Sequence, residues 1–236
     1  MNYESLVQSL SSLVASNASI EECETFISTL YSGMGDLFTS ILSNEDILQH
    51  ICNESFLHQS DFNRFVLHHD KQLSWRIRLN VWWPERVAKL RQSTNVHNHV
   101  WDHTSAIVAG ILENHLFELR PGTDLYCYRS RSKGTPAEQL EFVGQKSAIE
   151  TNVLIRSAGE SYLQHHTDFH KIIPSTDFLA TFCFQTPPKT DLTYALTSEP
   201  QHQPTRESYA IPTVDQVRQL LVRAIERINH ANTQSK

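Results

Sequence analysis

The chain has 236 residues, of which 39% are apolar and 19% charged, with a formal net charge of −6 and a pI near 6.1. That length suits one large domain, or one domain with a helical extension, and 11 Phe, 7 Tyr and 4 Trp can fill a sizeable core. The acidic balance argues against a nucleic-acid binder, and no apolar run approaches the roughly 18 residues of a membrane span.

"MNYESLVQSLSSLVASNAS" has no basic stretch before an apolar one, so no signal peptide is expected. Cys23, Cys52, Cys127 and Cys183 are scattered, with no CxxC pair, which indicates neither a disulfide framework nor a zinc ribbon. A reducing cytoplasm is the expected home. Leu6, Val7, Leu10, Leu13 and Val14 recur at helical spacing. Ile20, Phe26, Ile27, Leu30, Leu37 and Ile41 then share one broad face, with Gly33 and Gly35 as a break, and a cap at "SNED" starts a third helix. Residues 1–60 are therefore expected to form a helical segment packed on the body of the protein.

From Trp75 the period changes. "SWRIRLNVWW" alternates, with Trp75, Ile77, Leu79, Val81 and Trp83 on one face and Arg76, Arg78, Asn80 and Trp82 on the other. Further short strand-like runs come after it: "TSAIVAGILE", "HLFEL", "DLYCY", "QLEFV", "SAIETNVLI", "FHKII" and "FLATFCFQ", some separated by "RPGTD" and "SKGTP". Many short strands predict a mainly β sandwich or barrel over residues 61–195. A polar, proline-containing tail, 196–236, ends in a helix carrying Val214, Val217, Leu220, Leu221, Ala224 and Ile228 as its stripe.

Histidine is unusually frequent, 13 in all, so one HxH pair is expected by chance at roughly even odds. Within "NVHNHVWDHTS", His97 and His99 share a face if the segment is extended, about 7 Å apart at Cβ, and two imidazoles so placed can converge on one ion. If the strand continues, Trp101 and His103 join them. A third ligand must come from elsewhere, and "SYLQHHTDFHKIIPS" offers His165, His166 and His170, with Asp168 between the last two.

"HNHVWDH" resembles the first motif of the cupins, with His103 where most cupins have a glutamate. Within them it is most similar to the cysteine dioxygenase-like thiol dioxygenases, which also lack that glutamate. "FHKIIPSTDFLATFCFQTPP" resembles the family's strand pair that opens with the third ligand and closes on a Pro-Pro turn, and "FNRFVL" resembles the segment that supplies a carboxylate-binding arginine. The resemblance covers roughly residues 62–190. It implies a cupin-type double-stranded β-helix (a jelly-roll barrel), His97, His99 and His170 as metal ligands, His103 beside them or as a fourth ligand, and Arg64 on a substrate carboxylate. Arg76 and Arg78, on the polar face of "RIRLN", are the alternatives to Arg64. Trp101 would line the pocket and Tyr162 would donate a proton. Asp102 is expected to orient a neighbouring histidine.

The chain also departs from the family. Thr104 stands where some members carry a cross-linked cysteine, the family's Ser-His-Tyr network falls on Thr181, Cys183 and Gln185, and Asn114-His115 replaces a glycine turn. Imidazole ligands suit iron, zinc, copper or nickel; the resemblance implies Fe(II), with Zn(II) or another divalent metal as the alternative. The expected function is a mononuclear iron dioxygenase taking dioxygen and a small carboxylate-bearing molecule, a thiol or amino-acid derivative, as a monomer or homodimer. A metal-dependent lyase or isomerase without oxygen chemistry, and a non-catalytic metal- or ligand-binding cupin, are the competing readings.

Overall fold

A computed structural model describes residues 1–58, 62–85, 87, 96–131, 140–200, 209–210 and 213–234. The N-terminal stripe folds as helices α1 (Tyr3–Ala15), α2 (Ile20–Ser28), α3 (Met34–Leu42) and α4 (Glu45–Glu54). Short polar side chains fix three of the starts. Asn2 accepts from the Ser5 amide, Ser19 and Glu22 form a reciprocal capping box, and Asn44 accepts from the amides of Asp46 and Ile47. The break expected at Gly33 and Gly35 is a short 3-10 turn, Thr29–Gly33, after which helix resumes at once.

The described residues then form twelve strands: β1 (Phe56–His58), β2 (Asn63–Asp70), β3 (Trp75–Trp82), β4 (Val96–His97), β5 (His103–Ala109), β6 (Ile111–Arg131), β7 (Glu141–Ser157), β8 (Ser161–Gln164), β9 (Phe169–Pro174), β10 (Leu179–Gln185), β11 (Leu192–Thr197) and β12 (Tyr209–Ala210). They form two antiparallel sheets, ordered β12-β1-β2-β3-β10-β5-β8 and β11-β4-β9-β6-β7. The eight strands β3 to β10 define the fold. Four of them lie side by side as β3-β10-β5-β8 and the other four as β4-β9-β6-β7, so the chain crosses from sheet to sheet and returns. That order is the jelly roll, the double-stranded β-helix that the family resemblance implies.

Strand parity sets what each face does. Trp75, Ile77, Leu79 and Val81 of β3 and Ala180, Phe182 and Phe184 of β10 face outward and share one core with α1 to α4. The C-terminal helix α5 (Val214–Gln234) adds Val217, Leu221, Ala224 and Ile228 to that core. The helices thus cover the outer face of the larger sheet. The opposite face of β3 and β10, carrying Arg78, Asn80, Thr181, Cys183 and Gln185, turns into the barrel. Trp82, Ile107, Leu112, Tyr162 and Leu179 close one part of that interior. No helix among the described residues is long and apolar enough to cross a membrane.

The strand pattern differs from the sequence reading in several places. β2 is a strand that the sequence reading does not include, because "HHD" at its end hides the alternation. "HLFEL" and "DLYCY" are one strand, β6: its pairing with β7 runs on either side of "RPGTD", which is absorbed as a register shift between Glu118 and Thr123. "QLEFV" and "SAIETNVLI" likewise supply the single strand β7. "TSAIVAGILE", conversely, is two strands. Gly110 turns the corner between β5 and β6 at φ +83°, and a Cβ there would stand 2.2 Å from the Phe178 carbonyl oxygen. The turn expected at "SKGTP" lies outside the described residues.

Candidate metal centre

His97 ends β4 and faces His170 of β9 as its cross-strand partner. The strand does not continue to His99, so parity is not what brings the pair together. The strand ends before Asn98, whose amide still donates to the Tyr194 carbonyl at 3.1 Å. The Asn98 side chain holds the bend: Oδ1 accepts from the Tyr194 amide at 2.7 Å and Nδ2 donates to the His166 carbonyl at 3.1 Å. The bend carries the His99 ring back over the barrel, 4.9 Å from the His97 ring and 5.1 Å from that of His170. One ring nitrogen from each of the three lies within 4.8 Å of the others.

The donor set fits a divalent ion. Nε2 of His99 and Nε2 of His170 are 2.9 Å apart, and two nitrogens bound at about 2.1 Å sit roughly 3.0–3.4 Å from each other. Burial pushes the pKa of His99 and of His170 well below the ordinary value, and the neighbouring imidazoles push it further in the same direction. His103 is pushed down to about 3 by burial, then by Arg78 and His97. These rings are held neutral, the form that ligates metal.

His103 opens β5, on the facing sheet, and its ring is 4.8 Å from that of His99 and 5.8 Å from that of His170. It is buried, and its Nδ1 has no hydrogen-bond partner. Other buried polar atoms of this interior are also without a partner: Trp101 Nε1, Arg78 Nε, and both amide atoms of Gln185. Native interiors leave few such atoms unless water or a ligand meets them. Trp101 joins the two halves of the site. Its ring stacks at 5.7 Å on His99, and the Arg78 guanidinium carbon lies 5.6 Å from its centroid.

The three arginines separate here. Arg78 sits on β3 opposite Cys183 of β10, which in turn faces Ser105 of β5 and, one strand on, Tyr162 of β8. Burial lowers the Arg78 pKa, with Cys183 opposing. Arg76 is one inward position away, opposite Gln185, and burial lowers it while Glu54 raises it. Arg64 lies a strand further out on β2, its guanidinium 5.3 Å from the Phe62 ring. Tyr162 is buried with its ring 6.2 Å from that of His103, and burial raises its hydroxyl pKa beyond the ordinary range.

Asp102 does orient a histidine, though not one of the three. Its carboxylate accepts from the backbone amide of His166 at 2.7 Å and from the ring Nδ1 at 2.8 Å. Burial alone would raise its pKa, but those two hydrogen bonds outweigh it and the net direction is down. His165 is exposed, and neither it nor His166 joins the cluster. Two residues absent from the sequence reading also belong to the site: Gln164, and Asn114, noted only as a departure from a family turn. Asn114 Oδ1 is 2.9 Å from His170 Nδ1. The available signal was parity, since Asn114 is a polar residue two positions from inward-facing Leu112.

The fold and this cluster define a class: a jelly-roll barrel with three imidazoles converging inside it. No family model and no curated protein matches the chain. Solved structures similar to it include the DMSP lyases RdDddP and RnDddQII (12% identity, 53% of this chain and 47% of that one, TM-score 0.29) and FeII HppE (9%, 52% and 48%, 0.32). Ectoine synthase from P. lautus is a third (11%, 67% and 94%, 0.35). The chain spans about half the length of the first two. At such identities and scores no activity is carried over from them; the strand order fixes the fold.

Proposed function

We propose that the chain is a mononuclear metal enzyme of the three-histidine type, an Fe(II) dioxygenase acting on a small carboxylate-bearing molecule, a thiol or amino-acid derivative. One observation carries this reading: a buried guanidinium, Arg78, with no carboxylate partner among the described residues, shares the interior with His97, His99 and His170 and lies against Trp101, on which His99 stacks. An unpaired buried charge is costly, and an anion bound beside it offsets that cost.

Iron held on the three imidazoles would supply open positions and electron transfer with dioxygen. The protein's own part is binding and proton placement. Arg78 holds the substrate carboxylate through paired N–H donors. Trp101 packs against both the bound molecule and His99. Gln185 offers an acceptor and a donor to the polar part of the substrate. Tyr162, kept protonated by its burial, holds a proton at Oη beside His103.

One feature favours a second reading, Lewis-acid lyase or isomerase chemistry on zinc. The inward positions of β10 are Thr181, Cys183 and Gln185, with neither imidazole nor phenol, so that strand offers no acid–base relay for an oxidation.

The test is metal content with oxygen uptake. Anaerobically purified protein is expected to carry near-stoichiometric iron, lost in His170→Ala and kept in His165→Ala, and to consume oxygen with a carboxylate-bearing thiol. Stoichiometric zinc with no oxygen uptake would move the assignment to the second reading. Failure to take up any metal on reconstitution would overturn both.

A further inference from the structure

His170 ends a chain of hydrogen bonds that runs across the barrel. Its Nδ1 is 2.9 Å from Asn114 Oδ1; Asn114 Nδ2 donates to Gln164 Oε1 at 2.8 Å; Gln164 Nε2 donates to Asp168 Oδ2 at 3.0 Å. His170, Asn114 and Gln164 are each at most 2% exposed, so water does not substitute for a missing partner. The four residues come from β9, β6, β8 and the turn after β8, and the chain joins the two sheets.

We infer that Asp168 sets the tautomer of His170 through the two amides, and so makes Nε2 the nitrogen that faces the metal. A carboxylate only accepts, so the Gln164 amide must point its NH2 at Asp168. Its oxygen then faces Asn114 and takes the Asn114 NH2. That leaves Asn114 Oδ1 toward His170, whose Nδ1 must carry the proton, and Nε2 keeps its lone pair. The Asp168 carboxylate is itself held by the His165 amide at 3.1 Å. Asn114, Gln164 and Asp168 are positioning residues: none of them reaches the metal position, and each acts through the next.

This inference rests on the metal reading above, but its decisive readout does not need metal. Asp168→Asn replaces an obligate acceptor with a group that serves either way, so both amides are free to turn over and present a donor to His170. Nitrogen-15 NMR of the metal-free variant should show His170 in mixed tautomers where wild type shows the Nδ1–H form alone. Zinc binding, read by competition with a chromophoric chelator, should weaken about 10- to 100-fold.

The exchange Asn114→Asp/Asp168→Asn keeps the net charge and puts the obligate acceptor directly on His170. Gln164 then turns over, donating to position 114 and accepting from position 168. The double variant should regain the single tautomer and the wild-type zinc affinity, which a merely structural role would not produce. A single Nδ1–H tautomer in Asp168→Asn, or no recovery in the double variant, would overturn the relay. Wild type showing the tautomer but binding no metal would overturn the metal reading alone.

Discussion

A residue kept for stability and a residue kept for a ligand differ in what their removal does. Arg78 is 7% exposed, its Nε meets no partner, and the groups that favour its charge are the Cys183 thiol and the Tyr162 hydroxyl rather than a carboxylate. Cys183 and the Trp101 face offset part of the cost of burying that charge, and a bound anion would offset more of it. Arg78→Met keeps the length of the side chain and removes the charge, so the folded protein should gain about 1–3 kcal/mol. For a chain of this size that is roughly 2–4 °C in Tm for each kcal/mol. The same variant should lose binding of carboxylate-bearing molecules about 100-fold. Denaturation and calorimetric titration, run side by side, check this. A destabilised Arg78→Met with binding intact would make the arginine structural and remove it from the site.

At the scale of the element, sequence pattern was informative wherever one period ruled. The helical stripes, the β3 alternation and the mainly β sandwich or barrel were legible because each rests on many apolar positions that agree; the jelly roll itself was expected only from the family resemblance. The site was legible only where two ligands are close in sequence or a family pattern supplied the third. Asn114 and Gln164 were missed because a lone polar residue in a strand reads the same whether it faces solvent or a barrel; only the partner sheet decides. Corners are the other weak point, and Gly110 shows why. The run "IVAGILE" is continuously apolar up to its last residue, yet the chain changes sheets at its glycine, where φ is +83° and a methyl group on Cα would stand 2.2 Å from the Phe178 carbonyl oxygen. Gly110→Ala should therefore cost at least about 2 kcal/mol, from positive φ and backbone overlap together. Urea denaturation measures it. A cost below about 0.5 kcal/mol, on the order of an ordinary surface substitution, would mean that the corner relaxes freely.

The whole molecule is a barrel standing on a helical layer, and the junction between them contains a second group of histidines that the metal site does not use. His68 on β2 lies where α1, α4 and β3 meet. Tyr3 Oη is 2.9 Å from its Nδ1, the His50 ring is 5.8 Å away and the Trp75 ring 4.8 Å. Burial pushes its pKa down to about 4, His50 adds to that, Asp70 opposes and His69 contributes slightly. Burial also lowers His50, with Glu54 opposing. A histidine whose folded pKa lies below its unfolded value binds its proton more readily once the chain unfolds. Its contribution is therefore whole above about pH 6.5, is lost as pH falls toward 4, and changes little below that. Since His68 is only partly buried, solvent screening reduces the linkage to about 1–2 kcal/mol. The metal-free protein should lose at least that much stability between about pH 6.5 and 4.5, and His68→Gln, which keeps a polar partner for Tyr3, should flatten the curve by about one proton. Using metal-free protein matters, because acid also protonates the ligand histidines and would add the loss of metal to the same window. An unchanged slope in His68→Gln would place the acid sensitivity in the barrel and leave the helical junction indifferent to pH.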